Sequence, residues 1–407
     1  MKFLCYTVRE VIVMIQRKRY MDKLIKVKDE KIIKVVTGVR RCGKSTLLQL
    51  FKKYLDENGV GNEQIISINF EDIQYEFLLN YRKLYDYVSE RVAVGKMTYV
   101  FLDEIQNVPE FQKAVDSLFI KDNVDVYITG SNAYMLSGEL ATLLSGRYIE
   151  ISMLPLSFGE FYELRGGDKR DAFTAYFRTS AFPYAAGIAD DEIRTDYLRG
   201  IYNTVLLKDI VARKRIGDVE LLESVIKFLF DNIGSIVSSK KIADSLTSYG
   251  RKTTSVTVEG YVKALMNTFI LYKADRYDIK GKQLLKSLEK YYVVDIGLRH
   301  LLLGDRNRDI GHILENIVYL ELIRRGYTVH IGKVDDKEID FVATAGDERV
   351  YYQVAASVMD PTTFGREFDP LVKIKDHYPK FVLTMDDLPT GVDGIKQVNI
   401  VDFLLED

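Results

Sequence analysis

Cysteine is scarce: there are two in 407 residues, Cys5 and Cys42, which rules out a disulfide scaffold and suits a reducing cytosol. There is no C-x-x-C pair, and His300, His312, His330 and His377 lack the spacing of zinc ligands. Long apolar runs are missing too. None reaches the length of a membrane span, so no membrane partner is expected and the cytoplasm is the expected compartment. Neither sign of charge is in excess: 57 Lys and Arg against 59 Asp and Glu give a formal charge of −2 and a pI near 6.2. Any basic surface for nucleic acid must therefore be local. The first twenty residues hold apolar patches, but Arg9 and Glu10 interrupt them, which argues against a signal peptide. Met14 is an alternative start to Met1. At 407 residues the chain exceeds one core and divides into two to four domains.

What is present organises around residues 32–50. Ile32, Ile33, Val35 and Val36 form a β-branched run that reads as a buried strand. The chain then spells G-x-x-x-x-G-K-S from Gly38 to Ser45 and enters a helical pattern with Leu47, Leu48 and Phe51 on one face. Strand, glycine loop and helix are the context of a phosphate-binding loop: inward-turned N–H groups and the helix amino terminus make an anion-binding concavity. Gly38, Val39, Arg40, Arg41, Cys42, Gly43, Lys44, Ser45 and Thr46 are the candidate nucleotide contacts. Lys44 is expected at the β- and γ-phosphates of ATP, and the Ser45 hydroxyl on Mg²⁺. Cys42, near a helix amino terminus and Lys44, is expected to favour thiolate, so that alkylation blocks nucleotide binding. A basic helix over 17–28 is expected to pack on this domain with its charge solvated.

A second apolar strand, Tyr99 to Leu102, ends in Asp103 and Glu104. The Asp is placed to hold Mg²⁺ beside Ser45, and the Glu to polarise the attacking water. Strands are also read at 64–70 and 124–129, and a helix at 77–94. The polar tip after 129 supplies a water-orienting candidate, Asn132 or Ser131, with Thr129 third.

The segments GVRRCGKSTLL, VFLDEIQNV, ITGSNAYML and SGRYIEISMLPLSFGEF, together with the later LENIVYLEL, resemble those of prokaryotic AAA-like ATPases whose carboxyl half is a domain of unknown function. The resemblance covers nearly the whole chain. It implies an α/β fold: a P-loop NTPase sheet of the AAA type with a helical lid, a winged helix, and a restriction-endonuclease-like module related to PD-(D/E)XK nucleases. The boundaries that go with it are 1–157, 158–217, 218–283 and 284–407. Arg147 stands where such ATPases carry an arginine finger for a neighbouring subunit; the alternative is pairing with a local carboxylate. Among the lid arginines, Arg178, Arg194 and Arg199 are equal candidates to touch phosphate. Residues 221–282 read as three helices and a hairpin, with Lys240, Lys241, Arg251 and Lys252 clustered where a DNA-binding winged helix meets phosphates.

In the last module Glu315, Asp340 and Gln353 match the metal-site positions of a PD-(D/E)XK core. The basic residue expected two positions after Gln353 is replaced by Ala355, with Lys333 or Lys337 as substitutes, so cutting activity is expected to be lost. The expected function is a Mg²⁺-ATP-hydrolysing switch or remodeller acting on a protein or DNA partner, with self-association. The rivals are an ATP-gated nuclease and a non-hydrolysing, nucleotide-sensing DNA-binding regulator.

Overall fold

The computed structural model describes residues 15–130, 144, 146–211, 216–304, 309–387 and 391–406. Its amino-terminal part is built on β1 (Ile33–Thr37), β2 (Ile65–Asn69), β3 (Thr98–Asp103), β4 (Val124–Gly130) and β5 (Tyr148–Ser152). These five strands are all parallel, in the order β2-β3-β4-β1-β5. β1, β3 and β4 are buried at every residue, as near-continuous apolar strands between two helical layers must be. The helix Lys44–Glu57 lays Leu47, Phe51 and Leu55 in the same core as Val36, Phe101 and Tyr127. Alternation along the strands sends Ile33, Val35, Val100, Leu102 and Ile128 to the other face, into a core shared with the helices Tyr81–Ser89 and Phe111–Phe119.

The helix expected over 77–94 is shorter than its pattern. A 3-10 segment, Ile73–Leu78, comes first, and the Asn80 side chain caps Tyr81–Ser89 by accepting the N–H groups of Arg82 and Lys83.

After β5 the chain turns helical through Phe158–Arg165, Lys169–Arg178, Pro183–Gly187 and Asp191–Asn203, then a π-helical stretch, Thr204–Val211. Three more helices follow, Val219–Asp231, Ser239–Ser248 and Ser255–Met266, the second capped by the Ser238 hydroxyl. With β6 (Ile236–Val237), the hairpin β7 (Leu271–Asp278) and β8 (Gln283–Val293) completes that unit.

The carboxyl module adds β9 (Thr328–Val334), β10 (Lys337–Ala345), β11 (Glu348–Val354), β12 (Lys380–Thr384), β13 (Gly391–Val392) and β14 (Ile395–Asn399). Because β7 pairs in parallel with β9, all of these strands form one nine-stranded sheet with β6, β7 and β8. The 283/284 boundary therefore falls on the first residue of β8, inside a shared sheet. No described helix is long and apolar enough to cross a membrane.

Asp295 joins the helical region to the turn before the helix Ile296–Leu303. Its carboxylate accepts from Ser180 Oγ at 3.1 Å, Ala181 N–H at 2.6 Å and Leu298 N–H at 2.9 Å. Burial outweighs these hydrogen bonds and pushes its pKa up to about 6. The unfolded value is about 3.9, so between pH ~4 and ~6 the folded chain holds the extra proton and stability falls as pH rises. Asp295→Asn should abolish this dependence. In urea titrations the stability of the parent relative to the variant should drop by on the order of 3 kcal/mol from pH 4 to 6.5; a flat difference would refute the assignment.

Candidate nucleotide site

Parallel pairing brings the carboxyl tips of β1, β3 and β4 to one edge: Thr37 lies opposite Gly130, and Leu102 opposite Ile128. Crevices at such strand ends are where open α/β sheets bind ligands. At the tip of β1 the chain needs glycine. Gly38 has φ +144°, and a Cβ there would lie 2.2 Å from the Met153 carbonyl oxygen; Gly43, at φ +104°, opens the helix.

The loop between them closes around Lys44, which is 4% exposed. Its Nζ donates to the carbonyls of Gly38 at 3.1 Å and Val39 at 3.2 Å, and lies 3.9 Å from Glu104 Oε1. Ser45 is exposed and Thr46 half-buried at the start of the helix.

Asp103 and Glu104 are both buried, and one hydroxyl aligns them. Thr129 Oγ1 donates to Asp103 Oδ1 and accepts the Glu104 N–H at 2.9 Å. Glu104 adopts φ +55°, a conformation costly for a non-glycine residue, and Gln106 donates to its Oε2. The fold thus brings together Lys44, Asp103, Glu104 and the third-ranked water-orienting candidate, Thr129. Ser131 and Asn132 lie outside the described residues.

Arg147 is at the opposite edge of the sheet. Its carbonyl accepts the N–H of Ile33, the first residue of β1, about 13 Å of strand from the loop. Its guanidinium lies 5.8 Å from the Phe119 ring and within the field of Asp116, so it does not serve the loop of its own chain.

The partners of the surrounding arginines were not legible in the sequence. Arg17, expected on a solvated face, is buried: it donates to the carbonyls of Cys42 at 3.1 Å and Leu154 at 2.6 Å and pairs with Glu160 at 3.0 Å, bracing the loop from behind. Arg40 pairs with Glu71 at 2.8 Å and with Asp209 at 3.3 Å. The lid arginines are locally engaged, Arg194 with Asp191 and Arg199 with Asp196, while Arg178 lies 5.9 Å from the Phe177 ring.

The thiolate expectation for Cys42 is overturned. The side chain is fully buried, and burial raises its pKa more than the charges of Lys44 and Arg17 lower it. Cys42 should therefore resist iodoacetamide in the native chain and label only in denaturant, as read by peptide mass spectrometry. Rapid native labelling would contradict this.

In the carboxyl module, Glu315 of the helix Ile310–Arg324 and Asp340 of β10 do meet, and a lysine meets them, but it is neither Lys333 nor Lys337. Lys290 of β8 sets its Nζ 2.9 Å from Glu315, 2.7 Å from Glu338 and 3.8 Å from Asp340. Tyr292 donates to the same Glu315 oxygen at 2.6 Å. Gln353 accepts the Asp340 N–H at 2.6 Å and donates to Glu367 at 2.9 Å. Burial, then Glu315, raises the Asp340 pKa well above the carboxylate range. Among the described residues no three His, Cys, Asp or Glu side chains are arranged to hold a metal ion. A lone lysine in the otherwise apolar run after Glu289 was the available signal for Lys290.

Residues 30–162 match a family model described as an AAA domain, and residues 170–309 one described as a domain of unknown function. An uncharacterized protein of Haemophilus influenzae is 42% identical over 400 residues, covering 97% of this chain and 99% of that one. An uncharacterized protein of Methanocaldococcus jannaschii is 28% identical over 364 residues, covering 84% and 79%. Among solved structures, the Aeropyrum pernix ORC2 protein in its ADPNP–ADP complexes is similar over 76% of this chain and 93% of that one. The TM-score is 0.35 at 13% identity.

Proposed function

Since the chain belongs to the same family as the Haemophilus influenzae protein and its own residues 30–162 match an AAA domain, we propose that it binds and hydrolyses Mg-ATP. In this reading it uses the cycle as a switch or remodeller on a protein or DNA partner. The observation that carries the proposal is the meeting of Lys44 with Glu104, 3.9 Å apart, beside an Asp103 held by Thr129.

The residues fit the ligand. Backbone N–H groups from Val39 to Gly43, with the helix amino terminus behind them, form the cradle for the β- and γ-phosphates. Lys44 now satisfies its charge on its own loop's carbonyls, contacts it can exchange for phosphate oxygens. Ser45 and Asp103 are the residues to hold Mg²⁺, which when bound offsets charge on the β- and γ-phosphate oxygens. Glu104 takes the proton of the attacking water, its carboxylate set by its own backbone bond to Thr129 and by Gln106. Asn132 is proposed to orient that water. Arg147, remote from its own loop, is proposed to act on a neighbouring subunit's nucleotide. Lys240, Lys241, Arg251 and Lys252 remain the proposed DNA-facing group, with Arg251 also 3.0 Å from Glu220.

For the carboxyl module we favour a structural reading over phosphodiester cleavage, because Lys290 already engages the acids a metal would need. Plasmid incubated with the protein, ATP and Mg²⁺ or Mn²⁺ should stay intact.

The test of the ATPase proposal is phosphate release from Mg-ATP by the purified chain, with Lys44→Ala as control. The variant should lose binding at least tenfold; ATP bound as tightly as by the parent would end the reading.

A further inference from the structure

Arg40 lies between the two glycines of the loop, and its guanidinium is turned inward. It is 11% exposed, with Nη1 2.8 Å from Glu71 Oε1 and Nε 3.3 Å from Asp209 Oδ2. Burial works against its charge, but the hydrogen bond to Glu71 and the fields of Asp209 and Glu104 outweigh it. Arg40 therefore stands within the field of Glu104, the residue that in the proposed ATPase acts beside the γ-phosphate.

Asp209 is unusual in two ways. It belongs to Thr204–Val211, a π-helical stretch, a geometry that is rare and concentrated at functional sites. It is also buried, with Oδ1 lacking a hydrogen-bond partner among the described residues, while Oδ2 accepts from Arg40. A buried carboxylate in that state is sensitive to what its arginine does.

We propose that Arg40 changes partners with the nucleotide: Asp209 and Glu71 hold it in the nucleotide-free chain, and the γ-phosphate of ATP takes it on binding, which frees the π-helical stretch 204–211 from the loop. The proposal rests on the ATPase reading above. Phosphate oxygens and carboxylates compete for one planar guanidinium, and a triphosphate brings more charge than either side chain. ADP has no γ-phosphate, so it leaves the bridge to Asp209 in place. Residues 204–211 precede, in chain order, the helix Val219–Asp231, which packs against Ser239–Ser248, Ser255–Met266 and β8. Releasing them is thus a route from the third phosphate to the nine-stranded sheet. Arg40 then supplies positive charge from its own chain, independently of Arg147.

Because the bridge must break for ATP and not for ADP, it acts as a selective tax on ATP. Asp209→Asn should tighten binding of a non-hydrolysable ATP analogue about 5–10-fold and change ADP binding less than about twofold. Arg40→Ala should weaken the analogue about tenfold, again sparing ADP. Independently of any variant, amide hydrogen exchange across 204–211 in the parent should speed up with the analogue and not with ADP. A merely structural bridge would shift both nucleotides together and leave exchange equal. Equal shifts, or equal exchange with both ligands, would overturn the partner change while leaving the ATPase reading intact. A parent chain that binds neither nucleotide would overturn both.

Discussion

Glu104→Gln is expected to leave ATP bound and to cut phosphate release by about 10²–10⁴-fold, the usual contribution of a positioned general base. The substitution keeps the shape of a residue that is 7% exposed and whose backbone is held at φ +55°. The bond that fixes this backbone, Glu104 N–H to Thr129 Oγ1, does not involve the carboxylate and should survive. What disappears is the proposed proton acceptor, together with a negative charge 3.9 Å from Lys44. Losing that charge removes repulsion toward phosphate, so affinity should be equal to or better than the parent's. Equilibrium binding and phosphate release measured on one preparation separate the two effects. A variant that turns over at more than a third of the parent rate would show that another group takes the proton. The same variant should hold the ATP-bound complex long enough for affinity capture of the partner from the host.

Lys290→Met should destabilise the chain by about 3–5 kcal/mol, the range for breaking a buried ion pair by removing one partner. Lys290 is 3% exposed, and its contacts come from Glu315 on a helix and from Glu338 and Asp340 on β10. Burial alone would lower its pKa; the three acids more than reverse that, so the ammonium is held charged. Removing it leaves Glu315 beside Asp340 with no compensating cation. Adding Glu315→Gln to Lys290→Met should restore more than half of the lost stability, a coupling that simple cavity formation would not produce. The loss should also shrink at pH 5. Lys290 is the charge that pulls the Asp340 pKa down against burial and Glu315; without it that carboxyl is pushed higher still, so its penalty grows as pH rises. Urea titrations at two pH values measure both effects. If millimolar Mg²⁺ stabilises Lys290→Met by several degrees, the acids have kept a metal site and the structural reading of the module is wrong.

Legibility followed the range of the interactions. The strand, glycine loop and helix at 32–50 could be read directly, because positive φ at Gly38 and Gly43 and the Leu47 and Phe51 face are demands made within a few residues. The cap that the Ser238 hydroxyl places on the helix Ser239–Ser248 depends on equally local contacts. The Asn80 cap was not anticipated, and the helix drawn through it was too long as a result. The Cys42 expectation failed for a different reason. Its neighbours in sequence favour thiolate, but its environment is decided by distant packing that excludes water.

The amino-acid order by itself determined that a glycine-turned loop joins a buried strand to a helix and that an Asp–Glu pair ends another buried strand, since both depend on backbone geometry and side-chain period over short spans. Only the tertiary structure decided which charges answer one another. Arg17 reaches Leu154 across 137 positions, Arg40 reaches Asp209 across 169, and Lys290 joins acids on two other elements. The parallel pairing of β7 with β9 likewise merges what reads as two domains into one sheet. Such contacts leave no periodic trace, because a buried charge is stable wherever folding delivers a partner within hydrogen-bond reach, however far away that partner lies along the chain.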